Sequence, residues 1–525
     1  MFRRLFLSTL LLAGVVHAAD LPEPVARLMQ AAQIPPTAAG IVVLRGDTPL
    51  LLHNPQQVMQ PASTIKLLTT LTALEQLGPV FRGRTELRSG AAIEHGVLQG
   101  DLLVRGGADT DLNEDVLTHM LQALRNQGIS TIAGDVVLDR QLFQPARSDL
   151  GQPPFDEYPW AYYNVIPDAL LINTNLLKLE LRSGAGQLSL LMSPEMEKVT
   201  LRSAMTLRDA PCAQWEQGWR TPEVVRQGEQ IEVVLQGSFP RDCVRTVNVN
   251  VLDPHDYLAR LLRATWRKLG GTLTGVVREA QAPVVAQTVV AQDFRLGESS
   301  AERAGPDAEG AAATAPAPLP AISAPVAPTT RLLAEHVSRA LPEVLRDVNK
   351  NSDNTLARMV FLSLGSMQPD PLLGSRPLPP DGTTTTTSMR ADAVIRQWLQ
   401  QHNIDSSGLV LDNGSGLSRS ERATAAQLAG VLQAGLRSPW MPEFLSSLPI
   451  AATDGTMRRR LKDSPAASRA RIKTGSLNGV IAIAGYVQDA NNQPLVVVAM
   501  LNDPRVANGA GRAVLDALID WAARQ

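Results

Sequence analysis

The chain of 525 residues is 44% hydrophobic and 19% charged, an ordinary globular composition at a length that favours several domains. The formal net charge is −2 and would become −4 without Arg3 and Arg4, so nothing in it indicates a nucleic-acid partner. The 7 histidines form no H-E-x-x-H motif, and neither a Walker loop nor a dinucleotide fingerprint occurs, so neither a metal nor a cofactor is predicted.

The first 18 residues have the features of a secretory signal peptide. Residues 1–4 are positively charged, residues 5–16 are apolar, and residues 16–18 form a small-residue cleavage site. An uncleaved membrane anchor is the weaker alternative, because the apolar segment is shorter than the ~20 residues that a transmembrane helix needs. The sequence therefore predicts export to the periplasm, with at most loose membrane association.

The first motif is Ser63-Thr64-Ile65-Lys66. It follows a predicted strand pair at residues 39–52 and opens a run with helical spacing, so Ser63 is expected at the start of a helix. Residues three apart lie on one helix face, so the Lys66 amine can approach the Ser63 hydroxyl and, when partly buried, can act as its base. Alone, this tetrapeptide is weak support for a catalytic site.

A long segment separates the first motif from the second. One helical run, at residues 113–125, and several short β-like runs occur in it, the latter at residues 101–104, 135–139, 176–181, 188–191 and 230–235. We interpret this segment as one or two inserted domains.

The chain has 2 cysteines, Cys212 and Cys243. In an exported protein we expect them to form a disulfide with each other, although two buried free thiols are an alternative.

An Ala/Pro-rich segment, assigned to residues 297–330, precedes the second motif. Residues 301–328 contain 11 alanines and 6 prolines among 28 positions, with almost no large apolar residue. Such a composition cannot bury enough surface to offset chain entropy, so it predicts a flexible surface insertion. A docking segment in polyproline II conformation is an alternative with weaker support.

The second motif is Ser352-Asp353-Asn354. It follows a helix-like run at residues 332–348 and is expected on the loop after that helix. Residues 412–417, which include a Gly-Ser-Gly sequence, are predicted to form a turn and do not match a nucleophile elbow.

The third motif is Lys473-Thr474-Gly475. It lies on a predicted strand that pairs with residues 480–487 in a hairpin, and a packing helix is predicted at residues 513–525. We expect Gly475 to leave room for a substrate backbone, whereas Lys473, Thr474 and Ser476 offer donors to a carboxylate. In this order, S-x-x-K, S-D-N and K-T-G are the signature of serine β-lactamases and penicillin-binding proteins.

Over nearly the whole chain after residue 18, the sequence resembles the class C low-molecular-mass penicillin-binding proteins, the family of periplasmic D-alanyl-D-alanine carboxypeptidases and endopeptidases. The three motifs, the long insertion and three further segments carry the resemblance, the last at residues 134–136, 412–419 and 454–456.

The resemblance implies an α/β (α+β) serine β-lactamase/transpeptidase-like domain with two nested β-rich inserted domains. The catalytic domain would comprise residues 19–87 and 283–525. One inserted domain would comprise residues 88–95 and 176–282, and the second residues 96–175.

The resemblance also implies a role for each motif residue. Ser63 would be the nucleophile, Lys66 the acylation base and Ser352 a proton relay. The substrate-binding residues would be Asn354, which contacts a substrate amide, and Lys473, Thr474, Gly475 and Ser476 around the terminal carboxylate, with the backbone N–H groups of Ser63 and Ser476 as the oxyanion hole. The sequence departs from its relatives at residues 158–163, where no acidic substrate contact can be assigned.

The predicted function is that of a serine DD-peptidase acting on peptidoglycan stem peptides and cross-links, with β-lactam antibiotics as covalent ligands. A β-lactamase is an alternative, but the long segment between Ser63 and Ser352 argues against its compact fold. A non-catalytic penicillin-binding sensor would need a transmembrane segment. The sequence leaves the oligomeric state open.

Overall fold

Two distant parts of the chain form a five-stranded antiparallel sheet. The structure is a computed structural model that describes residues 21–281, 330–379 and 384–525. The strand order is Thr48–His53, Ala39–Arg45, Pro494–Asn502, Val480–Gln488 and Ala470–Leu477. The predicted strand pair before the first motif and the predicted hairpin at the third motif are both confirmed.

Both faces of this sheet are buried under helices. Along Pro494–Asn502, Val496 and Val498 pack on one face and Val497 and Ala499 on the other, because successive side chains of a strand alternate. The second of these faces is covered by Glu23–Ala31 and Ala510–Ala523. The first packs in one cluster with Lys66–Leu77, Leu341–Lys350, Asn354–Leu364, Thr387–Gln401, Ala425–Arg437 and Met441–Ser447. The α/β class and the C-terminal packing helix are thus confirmed.

The segment between the first and second motifs forms further sheets. A five-stranded mixed sheet has the order Val277–Glu279, Val136–Asp139, Leu102–Gly107, Arg84–Ser89 and Arg331–Val337. The other strands of the segment are Ile93–Glu94, Val97–Leu98, Thr131–Ile132, Leu177–Gly184, Gln187–Ser193, Val199–Ser203, Thr206–Arg208, Trp219–Gln227, Gln230–Pro240, Val244–Val249 and Thr272–Leu273. Between Lys66–Leu77 and Leu341–Lys350, the described residues of the segment form the α-helices Glu114–Asn126 and Pro254–Lys268. Each strand and helix predicted in the segment is confirmed, whereas its division into two nested domains stays a prediction.

The remaining elements are short. Met367–Asp370 pairs with Gly374–Pro377. Turns of 3-10 helix occur at Pro36–Ala38, Ala62–Ile65, Tyr162–Asn164, Asn173–Asn175, Cys212–Gly218, Gly455–Met457 and Pro504–Val506.

The helix predicted at residues 332–348 is wrong in its first part. Arg331–Val337 is a strand that pairs with Arg84–Ser89, and the helix covers Leu341–Lys350. Pro342 lies in the first turn of that helix, where a missing N–H is tolerated; further inside a helix it would remove a hydrogen bond and clash with the preceding turn. Pro342 therefore indicates where the helix begins, which the spacing of apolar residues does not show.

The predicted disulfide is present. Cys212 and Cys243 are bonded, with 5.3 Å between their Cα atoms. The predicted signal peptide at residues 1–18 lies outside the described residues, as does the Ala/Pro-rich segment except for residue 330. Within the described ranges, no helix combines the length and the apolarity that crossing a membrane requires.

Candidate active site

The nucleophile candidate lies where a short 3-10 turn becomes a helix. Ser63 belongs to Ala62–Ile65, and the chain continues directly into Lys66–Leu77. The helix start predicted for Ser63 is therefore confirmed. The apolar residues of this helix are buried between the sheet and neighbouring helices, so its first turn has a fixed position at the edge of the sheet.

Gly475 has a different neighbour from the one expected. A Cβ atom at this position would lie 3.0 Å from the Ala62 Cβ, the Pro61 carbonyl oxygen and the Ser63 nitrogen. That distance is closer than ordinary van der Waals contact, so a glycine at this position lets the strand lie against the backbone of Pro61 and Ser63. This contact alone accounts for a glycine at position 475, without the substrate backbone that the sequence analysis expected there.

Lys66 is fully buried and faces three oxygen atoms. Its Nζ lies 3.1 Å from Ser63 Oγ and 2.7 Å from Asn354 Oδ1, and it also donates to the Ser415 carbonyl. Burial lowers the pKa of Lys66 to about 7, although the negative charges of Glu421 and Asp353 oppose the decrease. A large fraction of the amine is therefore neutral near pH 7, the state in which it can accept a proton.

The second motif spans the junction of two helices. Ser352 has a positive φ of 59° between Leu341–Lys350 and Asn354–Leu364, so it lies on the expected loop. Asp353 caps the second helix by accepting from the Leu356 N–H at 2.9 Å. Asn354 is thereby fixed in the first turn, with its side-chain oxygen on the Lys66 amine.

The third motif provides a second buried lysine. Lys473 Nζ donates to Ser352 Oγ at 2.8 Å and to the Thr474 carbonyl at 2.6 Å. Burial, and then the neighbouring charge of Lys66, lower the pKa of Lys473 well below its usual value. Thr474 Oγ1 bonds to Thr456 Oγ1 at 2.9 Å.

An open cleft of about 760 Å³ joins the three motifs. Its walls include Ser63, Ser352, Asn354, Thr474 and Ser476 from the predicted site. Lys66 and Lys473 are wholly buried and reach this surface through their hydroxyl partners.

The inserted segment supplies an acidic wall of the cleft that the sequence analysis missed. Asp156 and Glu157 line the cleft together with Tyr163. The Asp156 carboxylate accepts from the Tyr163 hydroxyl at 2.9 Å and from the Asn164 amide at 2.8 Å. These acids lie just before residues 158–163, the segment in which the sequence alone assigns no acidic contact.

The turn at residues 412–417 is confirmed as irregular backbone, but its contact with Lys66 was not anticipated. In the described part of the chain, no group of three or more His, Cys, Asp or Glu side chains is placed to hold a metal ion.

This fold and site define a serine enzyme of the penicillin-binding class, since a buried lysine contacts the Ser63 hydroxyl and a second serine–lysine pair faces the same cleft. The chain belongs to the D-Ala-D-Ala carboxypeptidase 3 (S13) family, whose model matches residues 21–294 and 321–525. The family resemblance stated from the sequence is therefore confirmed.

Individual relatives cover most of the chain. It is 25% identical over 461 residues to the D-alanyl-D-alanine carboxypeptidase DacB of Haemophilus influenzae, covering 86% of this chain and 82% of that protein. It is 25% identical over 490 residues to a D-alanyl-D-alanine carboxypeptidase of Actinomadura sp. strain R39, covering 90% and 80%. The crystal structure of penicillin binding protein 4 from Haemophilus influenzae matches with a TM-score of 0.69 at 22% identity, covering 95% of this chain and 99% of that one.

Proposed function

We propose that Ser63 is the nucleophile of a serine DD-peptidase that cleaves D-Ala-D-Ala termini and D-Ala cross-links of peptidoglycan through an acyl-enzyme. The observation that carries the proposal is the Lys66 amine, fully buried, with a pKa of about 7, at 3.1 Å from Ser63 Oγ. A serine hydroxyl is a weak nucleophile until a base takes its proton, and this amine is placed to do so.

Acylation begins with proton transfer from Ser63 to neutral Lys66. The hydroxyl oxygen attacks the carbonyl carbon of the penultimate D-alanine, and the backbone N–H groups of Ser63 and Ser476 stabilise the oxyanion. The strand that carries Ser476 lies close to the Ser63 backbone, since a Cβ atom built on Gly475 would be 3.0 Å from the Ser63 nitrogen. This closeness supports an oxyanion hole shared by the two N–H groups. Each oxyanion donor is typically worth ~3–4 kcal/mol.

The leaving amine needs a proton when the tetrahedral intermediate collapses. Ser352 is suited to relay it, because its oxygen accepts from Lys473 and its own hydroxyl hydrogen remains available to the cleft. Thr474 and Ser476 line the same part of the cleft, where Ser476 offers a hydroxyl donor to the terminal carboxylate and Thr474 would offer one by turning its hydroxyl away from Thr456. The carboxylate would also favour the charged form of the neighbouring Lys473.

Carboxypeptidase and endopeptidase reactions differ only in the leaving group. A free D-alanine departs in the first reaction, and the amine of a cross-link departs in the second. The cleft is open and extends to the inserted segment, which leaves room for a branched stem peptide. Asp156 and Glu157 offer carboxylates there to a substrate ammonium group.

A β-lactam would acylate the same serine, and the periplasm is the compartment we propose for the reaction. The disulfide between Cys212 and Cys243 supports an oxidising compartment. One of the similar structures, penicillin binding protein 4 from Haemophilus influenzae, was solved with a β-lactam.

The balance of the two peptidase reactions can be measured on purified cross-linked peptidoglycan. We expect the wild-type protein to release muropeptides that have lost D-alanine and monomers derived from cross-linked dimers, both identified by mass. The Ser63→Ala variant should release neither. Release of D-alanine alone would restrict the proposal to carboxypeptidase activity, and unchanged muropeptides would contradict it.

A further inference from the structure

A buried carboxylate lies behind the catalytic lysine, and the reaction steps above do not use it. Glu421 is 1% exposed. Its Oε1 atom accepts the backbone N–H groups of Gly414 at 2.9 Å, Asn413 at 3.1 Å and Asp412 at 3.4 Å. Three consecutive donors thus converge on one oxygen. They fix the start of residues 412–417, a segment that we call the glycine loop.

The glycine loop is attached to the helix that carries the nucleophile. The Gly414 carbonyl accepts from Thr69 Oγ1 at 2.8 Å, and the Ser415 carbonyl accepts from Lys66 Nζ. Gly416 approaches so closely that a Cβ atom there would lie 2.1 Å from the backbone oxygen of Ala62. A shift of the loop would therefore move the carbonyl that contacts the Lys66 amine.

That carbonyl determines where the lone pair of Lys66 points. A neutral amine has two N–H groups and one lone pair, and Lys66 Nζ contacts three oxygens. The oxygens of Asn354 and Ser415 can only accept, whereas the Ser63 hydroxyl can donate. When both acceptors are in place they take the two N–H groups, so the lone pair faces the Ser63 hydroxyl.

We propose that Glu421 is a positioning residue for acylation, holding the glycine loop so that the Ser415 carbonyl directs the Lys66 lone pair at Ser63. This inference rests on the proposed role of Lys66 as the base. Within the described residues, the second carboxylate oxygen of Glu421 has no hydrogen-bond partner. The hydrogen bonds from Glu421 to the loop are therefore all made by Oε1.

Two substitutions distinguish the effect of the acceptor oxygen from that of the rest of the Glu421 side chain. Glu421→Ala removes the acceptor, whereas Glu421→Gln keeps an oxygen at the Oε1 position and places its amide where Oε2 has no partner. Acylation by a fluorescent penicillin gives a rate constant at saturation and a half-saturation concentration. We expect Glu421→Ala to lower the rate constant about 10- to 100-fold with the half-saturation concentration unchanged, and Glu421→Gln to stay within about threefold of wild type.

A double-mutant cycle distinguishes positioning from general support of the fold. In a Lys66→Ala background, Glu421→Ala should cause no further loss, because the residue acts through the Lys66 amine. Glu75→Ala is the matched control on the helix Lys66–Leu77: this carboxylate, whose side chain is only 15% exposed, accepts from Trp398 Nε1 at 2.7 Å, away from the cleft. It should lower the melting temperature and leave the acylation rate unchanged.

Three results would overturn the inference while leaving the proposed function intact. The first is a wild-type acylation rate in Glu421→Ala. The second is an equal fold-decrease of the acylation rate by Glu421→Ala in the wild-type and Lys66→Ala backgrounds. The third is a decrease of more than about tenfold in Glu421→Gln. If Glu421→Ala does not fold, the Gln variant still tests the inference, because a loss of more than about tenfold there would overturn it. A wild-type protein that no penicillin acylates would refute the proposed function, and this inference with it.

Discussion

Lys473 Nζ donates a 2.8 Å hydrogen bond to Ser352 Oγ, although 121 positions separate the two residues in the sequence. The second and third motifs therefore form one buried pair beside the pair of Ser63 and Lys66. Both lysines are fully buried, and each neighbouring serine lines the cleft. The protein thus places two amines with lowered pKa values behind two hydroxyl groups, one suited to nucleophilic attack and the other to proton relay.

Ser63→Ala should abolish covalent labelling by a fluorescent penicillin, because it removes the atom that forms the ester. Labelling is measured on denaturing gels, and folding by circular dichroism and thermal denaturation. Ser446→Ala changes a partly exposed serine on another helix and is expected to label at the wild-type rate. Undiminished labelling of Ser63→Ala would assign the nucleophile to another residue.

The acylation rate should rise with pH through about 7, the pKa of Lys66. Below this value the amine is protonated and cannot accept the Ser63 proton, whereas above it the neutral base predominates. The measurement is the acylation rate between about pH 5 and about pH 9, with the fold checked at each pH. In Lys66→Ala the remaining rate should be ~10²–10⁴-fold lower, and its rise near pH 7 should be absent. A rise of the same midpoint in that variant would assign the titration to another group.

The catalytic core was predictable because its signals are local. The spacing of Ser63 and Lys66 sets their shared helix face, and the continuous apolar run at residues 480–487, followed by a turn, sets the hairpin. The contacts that were missed depend on distant residues. Arg331–Val337 is a strand because Arg84–Ser89 provides its partner.

Glu421 illustrates the same limit at the site. Nothing in its neighbouring residues indicates that it is buried or that backbone N–H groups of the glycine loop converge on it. Asp156 likewise gains its place only because the inserted segment folds back to the cleft. The positions of these two residues depend on how the chain folds in three dimensions, and no periodicity in the sequence predicts them.

Lys473→Ala should lower kcat/KM for a peptide ending in D-Ala-D-Ala by about 10- to 100-fold, the loss expected for a hydrogen bond to a charged group. The variant lacks both the cation near the terminal carboxylate and the donor to Ser352 Oγ. D-alanine release is the measurement, and Lys462→Ala, at an exposed lysine, is the control. A peptide whose terminal carboxylate is amidated should show a much smaller difference between wild type and Lys473→Ala. An equal difference for both peptides would contradict a role in carboxylate binding.

Loss of the disulfide should destabilise the protein without removing the active site. The two cysteines are 31 positions apart, and closing a loop of that length is worth roughly 3–4 kcal/mol in the chain-entropy model. Intact mass with and without reductant tests the bond, and denaturant unfolding of the Cys212→Ala/Cys243→Ala variant tests its effect. Two alkylatable thiols in the unreduced native protein would contradict the bond.

A comparison of substrates in one preparation separates the DD-peptidase from a β-lactamase. The cleft is open towards the inserted segment, an arrangement suited to a peptide acyl group, and a bulky penicilloyl ester would obstruct the water that must hydrolyse it. We therefore expect the penicilloyl-enzyme to persist for minutes or longer, while peptides ending in D-Ala-D-Ala turn over repeatedly. Mass spectrometry of the intact protein follows the ester, and D-alanine release follows the peptide reaction. Rapid multiple turnover of penicillin, with no cleavage of D-Ala-D-Ala peptides or cross-linked muropeptides, would instead establish a β-lactamase.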